Sequence, residues 1–268
     1  MSRYSDMFDR CAQEHRGAFI PFVVVGDPDM DTSIRIMETL AAAGADALEL
    51  GIPFSDPVAD GPVIQAAAVR ALQAGATPDR CFGAIAVIRK RFPALPIGVL
   101  TYTNAVMHGG MAAYFLRAQS AGVDSVLSAD MPVAEANDYI AAARAAAIEP
   151  VFIAPPDVDE DTLRAIAAAT SGYTYVVTRR GVTGSDDRVS MEFKSILSAL
   201  KRHGAPPPVM GFGISTPDHV RSVIAAGAAG AISGSAVVRI VERGGAKMMD
   251  TLAAFVKEMK QATIHSQA

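Results

Sequence analysis

Cysteine and histidine are scarce in this chain, and each shortage narrows the chemistry open to it. Cys11 and Cys81 are the only two cysteines among 268 residues and lie far apart in sequence. They read as ordinary thiols in a reducing compartment rather than as a staple. The five histidines, His15, His108, His203, His219 and His265, are scattered without ligand spacing, which argues against a metal centre. No apolar run approaches the ~20 residues needed to span a bilayer. The first ten residues are rich in charge and lack the apolar segment of a secretory leader, so the cytoplasm is the expected compartment. With a formal net charge of -4 and no basic run, nucleic acid is not expected as a main partner. No lysine closes a predicted strand, which disfavours a Schiff base. No serine sits in a recognisable elbow or triad, so acyl transfer is unsupported.

What is present is apolar and repetitive. Half of the residues are apolar, enough for one large core, and no linker divides the chain, so 1–268 reads as a single domain. Residues 2 to 16 suggest a short leading helix ended by Gly17. Ala18 to Val25 is a nearly unbroken apolar run, the pattern of a strand buried on both faces. Further strands are predicted to start at Ala47, Pro96, Ser125, Pro150, Tyr173, Val209 and Gly230, each followed by a helix. Asp31 or Thr32 is placed to cap the first of these helices, and Val133 to Ala147 reads as one Ala-rich helix. Three joints repeat one another: Ala43-Gly44-Ala45-Asp46-Ala47-Leu48, Ala121-Gly122-Val123-Asp124-Ser125-Val126 and Ala226-Gly227-Ala228-Ala229-Gly230-Ala231. Each is a helix-ending glycine, a short turn and a buried strand. Eight such units match the count and size of an α/β fold, a (β/α)8 TIM barrel with an extra N-terminal helix. A doubly wound sheet would place a Gly-x-Gly-x-x-Gly turn after the first strand, and none is there.

In such a barrel the chemistry lies beyond the carboxyl ends of the strands. Alternation along Leu48-Glu49-Leu50 turns Glu49 to the face opposite the leucines, and a buried carboxylate is costly unless paired or used. The loop that follows is stiffened by Pro53, Pro57 and Pro62 and carries Asp56 and Asp60. Two carboxylates in different environments can divide acid and base roles: apolar walls favour protonated Glu49, whereas a polar loop keeps Asp60 ionised. The competing reading is a structural ion pair with a neighbouring strand. Asp56, Asp46 and Asp124 read as turn residues. After the sixth strand, residues 179–188 are polar and twice punctuated by glycine, suited to a lid. Gly213 and Gly234 stand in the turns after the seventh and eighth strands, where peptide N–H groups and a helix starting at Ser235 can seat an anion; alternatively they only serve tight turns. Phe22, Leu100, Leu127, Ile153, Phe212 and Ile232 lie near strand ends, either lining a flat apolar cavity or forming the top core layer.

The run Leu48-Glu49-Leu50-Gly51-Ile52-Pro53-Phe54-Ser55-Asp56-Pro57-Val58-Ala59-Asp60-Gly61-Pro62 resembles the signature of the alpha subunit of tryptophan synthase. Gly181-Val182-Thr183-Gly184, Gly211-Phe212-Gly213-Ile214-Ser215 and Ala231-Ile232-Ser233-Gly234-Ser235-Ala236 resemble that family in the same order. The resemblance covers essentially the whole chain. It implies a lyase that cleaves indole-3-glycerol phosphate to indole and glyceraldehyde 3-phosphate in tryptophan biosynthesis. It further implies Glu49 as the general acid/base, and Asp60 as the group stabilising charge on the indole nitrogen. Thr183 in the lid would meet Asp60 on closure. Gly184, Gly213, Gly234 and Ser235 would hold the phosphate, and Phe22, Leu100, Leu127, Tyr175, Phe212 and Ile232 would sandwich the indole. The resemblance implies no cofactor in this subunit, pyridoxal phosphate on a beta partner, and an αββα tetramer. Arg180, Ser128 and His108 depart from the family pattern. The rival functions are another phosphate-binding barrel isomerase, or a barrel retained as an allosteric partner.

Overall fold

The computed structural model describes residues 2–177 and 187–265. Helix α1 (Arg3–Gln13) leads into β1 (Ala18–Val24), α2 (Met30–Ala42), β2 (Leu48–Gly51), α3 (Pro62–Gln73), α4 (Pro78–Arg91) and β3 (Ile97–Thr101). Then follow α5 (Thr103–Met107), α6 (Met111–Ser120), β4 (Ser125–Ser128), α7 (Asn137–Ala145), β5 (Glu149–Val151), β6 (Ile153–Ala154), α8 (Glu160–Ala169) and β7 (Thr174–Val176). The chain ends with α9 (Asp187–Arg202), β8 (Pro208–Met210), α10 (Pro217–Ala225), β9 (Gly230–Ser233), α11 (Ser235–Arg243) and α12 (Met248–Gln261).

All strand pairings are parallel, and the order is β5-β4-β3-β2-β1-β9-β8-β7-β6. The two ends of that order are separated in sequence by Phe152 alone. They are therefore halves of one interrupted stave, and the sheet closes as the expected eight-staved barrel. Parallel strands covered by helices are buried on both faces, and every residue of β1 is buried.

The leading helix closes the amino end of the barrel. Tyr4, Met7 and Cys11 form its buried face, and Tyr4 Oη lies 3.0 Å from Ser125 Oγ at the start of β4. The repeated joints carry a matched pair of clamps. Asp46 is 2 % exposed; it accepts from Phe19 N at 3.0 Å and from both guanidinium ends of Arg16 at 2.8 and 2.9 Å. Lys260 Nζ adds a fourth contact at 2.9 Å. Asp124 repeats the device two strands later, before β4, accepting from Ile97 N at 2.8 Å and pairing with Arg3 and Arg89 at 2.7 and 2.6 Å. Each aspartate thus ties its own strand to the start of the preceding one. Both were expected to be simple turn residues; instead each centres an ion cluster, buried at Asp46 and partly buried at Asp124. The preceding glycines, Gly44 at φ 102° and Gly122 at φ 81°, adopt a conformation that L side chains rarely take.

Local details depart from the sequence reading. Asp29, not Asp31 or Thr32, caps α2: its extended backbone aims the carboxylate at Thr32 N, 2.8 Å away. The segment read as one helix from Val133 to Ala147 is a single 3-10 turn, Val133–Glu135, followed by α7, with Ala136 at φ -93° and ψ 8° between them. The short helix α5 was not anticipated. Asp130 holds its start, accepting from Thr103 N and Thr103 Oγ1 at 2.7 and 2.8 Å. Ser128 joins the same cluster through Thr103 Oγ1 at 2.9 Å, which gives that departure from the family pattern a local role. Among the described residues no helix is long and apolar enough to cross a membrane.

Candidate active site

Register decides where Glu49 points. Phe22 of β1, Glu49 of β2 and Gly98 of β3 are lateral partners, so the Phe22 and Glu49 side chains leave the sheet on the same face, toward the barrel interior. Glu49 is 2 % exposed, and its Oε1 accepts a hydrogen bond from Tyr173 Oη at 2.9 Å. Burial pushes its carboxyl up to about 7; the Tyr173 hydrogen bond opposes the shift, and nearby Asp60 adds to it. A carboxyl tuned there exchanges a proton in either direction near neutrality. Among the described residues no basic group pairs with Glu49; its partner is the Tyr173 hydroxyl.

Asp60 hangs in the loop between β2 and α3. Tyr102 Oη donates to Asp60 Oδ2 at 2.8 Å and accepts from Ala59 N at 3.2 Å. The Tyr102 ring stacks on Phe54, with centroids 5.2 Å apart and planes 20° off parallel. Gly61 and Pro62 open α3 directly behind, and Gln65 Nε2 donates to the Asp60 carbonyl at 2.8 Å. The loop is therefore held from β3 and from α3. Burial raises the Asp60 carboxyl and the Tyr102 bond opposes it. This corrects the expectation of a purely polar setting: Asp60 is partly desolvated too.

Both carboxylates line one cavity of about 320 Å³, together with Phe22, Leu100, Tyr175, Phe212, Ile232, Gly213, Gly234 and Ser235. Five of the six proposed ring-binding residues are on its wall. Leu127 is not: it pairs with Leu100 at the same level of the barrel but is 1 % exposed and packed into the core. Glycines make room for the rings. A Cβ at Gly51 would lie 2.7 Å from Phe22 Cζ, and one at Gly211 2.1 Å from Tyr175 Oη.

The far side of the cavity is built from backbone. Phe212 and Gly213 both have positive φ, 66° and 74°. For a bulky residue such as Phe212 this is an outlier that costs roughly 1–3 kcal/mol and is found where a site demands it. Ser233 Oγ donates to Ile214 O at 2.7 Å, fixing this turn to β9. Gly234 is the N-cap of α11 and supplies no side-chain acceptor, so the first peptide N–H groups of α11 remain available to an anion. Thr183 and Gly184 lie outside the described residues.

A family model described as tryptophan synthase alpha chain matches residues 8–264. This chain belongs to the tryptophan synthase alpha chain family. The alpha chain of Shewanella amazonensis is 54 % identical over 266 residues, covering 98 % of this chain and all of that one. That of an Escherichia coli O7:K1 strain is 50 % identical over 266 residues, covering 98 % and 99 %. Among solved structures, tryptophan synthase subunit alpha from Legionella pneumophila superposes with a TM-score of 0.88 at 28 % identity, with 98 % of each chain covered.

Within this family member, sequence reasoning missed the two tyrosines that hold the carboxylates. Tyr173 immediately precedes β7 and Tyr102 immediately follows β3, and neither position announces which strand its hydroxyl will face. Gly61, Ile64, Ile214, Ser215 and Arg239 also line the cavity. For Arg239 a signal existed: it follows Ser235 by four residues on one helix, hence on the same face. Among the described residues no cluster of His, Cys, Asp and Glu could hold a metal ion.

Proposed function

We propose that Glu49 and Asp60 carry out the cleavage of indole-3-glycerol phosphate to indole and glyceraldehyde 3-phosphate by a retro-aldol step. The chain is a lyase subunit of tryptophan biosynthesis, and the proposal concerns how its residues do the work. Protonated Glu49 gives its proton to C3 of the indole, leaving positive charge on the ring nitrogen. Carboxylate Asp60 stabilises that charge. The C3–C1′ bond then breaks, its electron pair returning to the indole ring and neutralising the nitrogen. Glu49, now ionised, takes the proton from the C1′ hydroxyl as that carbon becomes the aldehyde. One proton is given and one recovered, so Glu49 ends as it began.

The observation that carries this reading is the carboxyl of Glu49, buried and held near neutrality, in the same cavity as a second carboxylate and a backbone anion seat. Phe22, Leu100, Tyr175, Phe212 and Ile232 supply apolar surface for a flat ring. Gly213, Gly234 and Ser235 take the phosphate; Thr183 and Gly184, also expected to serve the substrate, lie outside the described residues. No cofactor is assigned to this subunit; pyridoxal phosphate belongs to the beta subunit, which is its partner in an αββα assembly. The chain acts as one barrel domain in the cytoplasm. The Glu49→Gln variant should lose indole release while still binding the beta subunit near normally. Full cleavage activity in that variant would reject the mechanism.

A further inference from the structure

The anion seat is almost uncharged. Gly213, Ser215, Gly234 and Ser235 present backbone and hydroxyl groups, and a helix N-terminus contributes only about half an elementary charge. A phosphate monoester carries close to two negative charges at neutral pH. The same cavity also holds two carboxylates, Glu49 and Asp60, which repel an entering anion. Backbone dipoles alone leave most of that charge uncompensated.

Among the described residues, Arg239 is the one cationic side chain on the cavity wall. It sits one turn beyond Ser235 on α11, and both face the cavity. Its guanidinium has no ion pair among the described residues, whereas Glu242, three positions further on, is engaged by Arg70 Nη1 at 3.3 Å. That bond ties α11 to α3, the helix behind Asp60, and Arg70 is itself fixed by two bonds of 2.8 and 2.9 Å to Asp27 in the loop after β1. The Arg239 guanidinium is therefore carried on a fixed element, at the end of the cavity where a dianion has to be neutralised.

We propose that Arg239 is a binding residue for the substrate phosphate, the cation that makes this site prefer a phosphate monoester to the free alcohol. The proposal rests on the phosphate occupying the Gly213–Ser235 end. Guanidinium suits this task because its planar fork matches phosphate oxygens and it never loses its charge. Being partly solvated at the cavity mouth, its attraction is screened by salt. It acts on substrate and transition state alike, so its removal raises KM rather than lowering kcat.

The test is steady-state indole release by the assembled alpha–beta enzyme carrying Arg239→Gln, Arg239→Lys or Arg243→Gln. The last removes the same charge from the same helix, outside the cavity. Each is assayed in low and high salt, with indole-3-glycerol phosphate and with dephosphorylated indole-3-glycerol. Arg239→Gln should raise KM for the phosphate ester about tenfold in low salt with kcat within about twofold, and the gap should narrow in high salt. Arg239→Lys should recover most of the loss, and Arg243→Gln should stay near the parent. An unchanged KM in Arg239→Gln, or an equal rise in Arg243→Gln, overturns the role of Arg239 while leaving the phosphate seat standing. A parent enzyme that turns over the phosphate ester and the free alcohol alike overturns the seat itself, and Arg239 with it.

Discussion

Substituting Gln for Glu49 removes an ionisable group from the barrel interior while preserving its shape and its acceptor for Tyr173, and the fold should respond differently in acid and in base. The folded chain holds the Glu49 carboxyl at about 7 against an ordinary 4.5, chiefly through burial. Below about pH 4.5 the group is protonated in both folded and unfolded chains and imposes no penalty. As pH climbs from there towards 7 the unfolded chain releases the proton and the folded chain keeps it, so stability falls steadily. Above 7 both forms are ionised and the full penalty remains. A shift of this size corresponds to about 3 kcal/mol. Gln does not titrate, so the stability of Glu49→Gln relative to the parent should rise by about 2 to 3 kcal/mol between pH 5 and pH 8.5. Urea unfolding of both proteins, followed by circular dichroism in matched buffers, measures this directly. A difference that stays constant across that range would show that the carboxyl is not perturbed, and the acid/base assignment would lose its physical basis.

Two other substitutions probe neighbouring parts of the argument. Tyr173→Phe removes the donor that favours ionised Glu49, so the limb of the pH–rate profile for indole release that reports this group should move to higher pH; an unmoved limb refutes the coupling. Asp46→Asn strips the charged acceptor from buried Arg16 and from Lys260 and should destabilise the fold by roughly 3–5 kcal/mol in urea titrations, with turnover of the still-folded enzyme unaffected. A loss under about 1 kcal/mol would mean that solvent already reaches the pair.

Local, repeated and periodic features were legible. Counting apolar strand runs, each followed by a helix, gave the number of staves, because helix endings and buried parallel strands are set by nearby residues. Alternation alone turned Glu49 away from Leu48 and Leu50, and the barrel rule that active sites gather at strand carboxyl ends picked out Asp60, Gly213, Gly234 and Ser235. The fifth stave was legible as a strand but not as one interrupted at Phe152. Asp46 and Asp124 stood at the same place in matching joints, yet their cationic partners Arg16, Lys260, Arg3 and Arg89 lie far off in sequence, so their ion clusters were not.

The sequence by itself determined the barrel, its alternation of strands and helices and the residue types available at its upper rim, since each follows from patterns within a few turns of chain. Only the tertiary structure decided which hydroxyl meets which carboxylate. Tyr173 reaches Glu49 across 124 positions and Tyr102 reaches Asp60 across 42. It also decided that Leu127 withdraws into the core while Arg239 stands on the cavity wall. Closing the barrel sets those neighbours, and with them the desolvation that brings an ordinary glutamate to about 7.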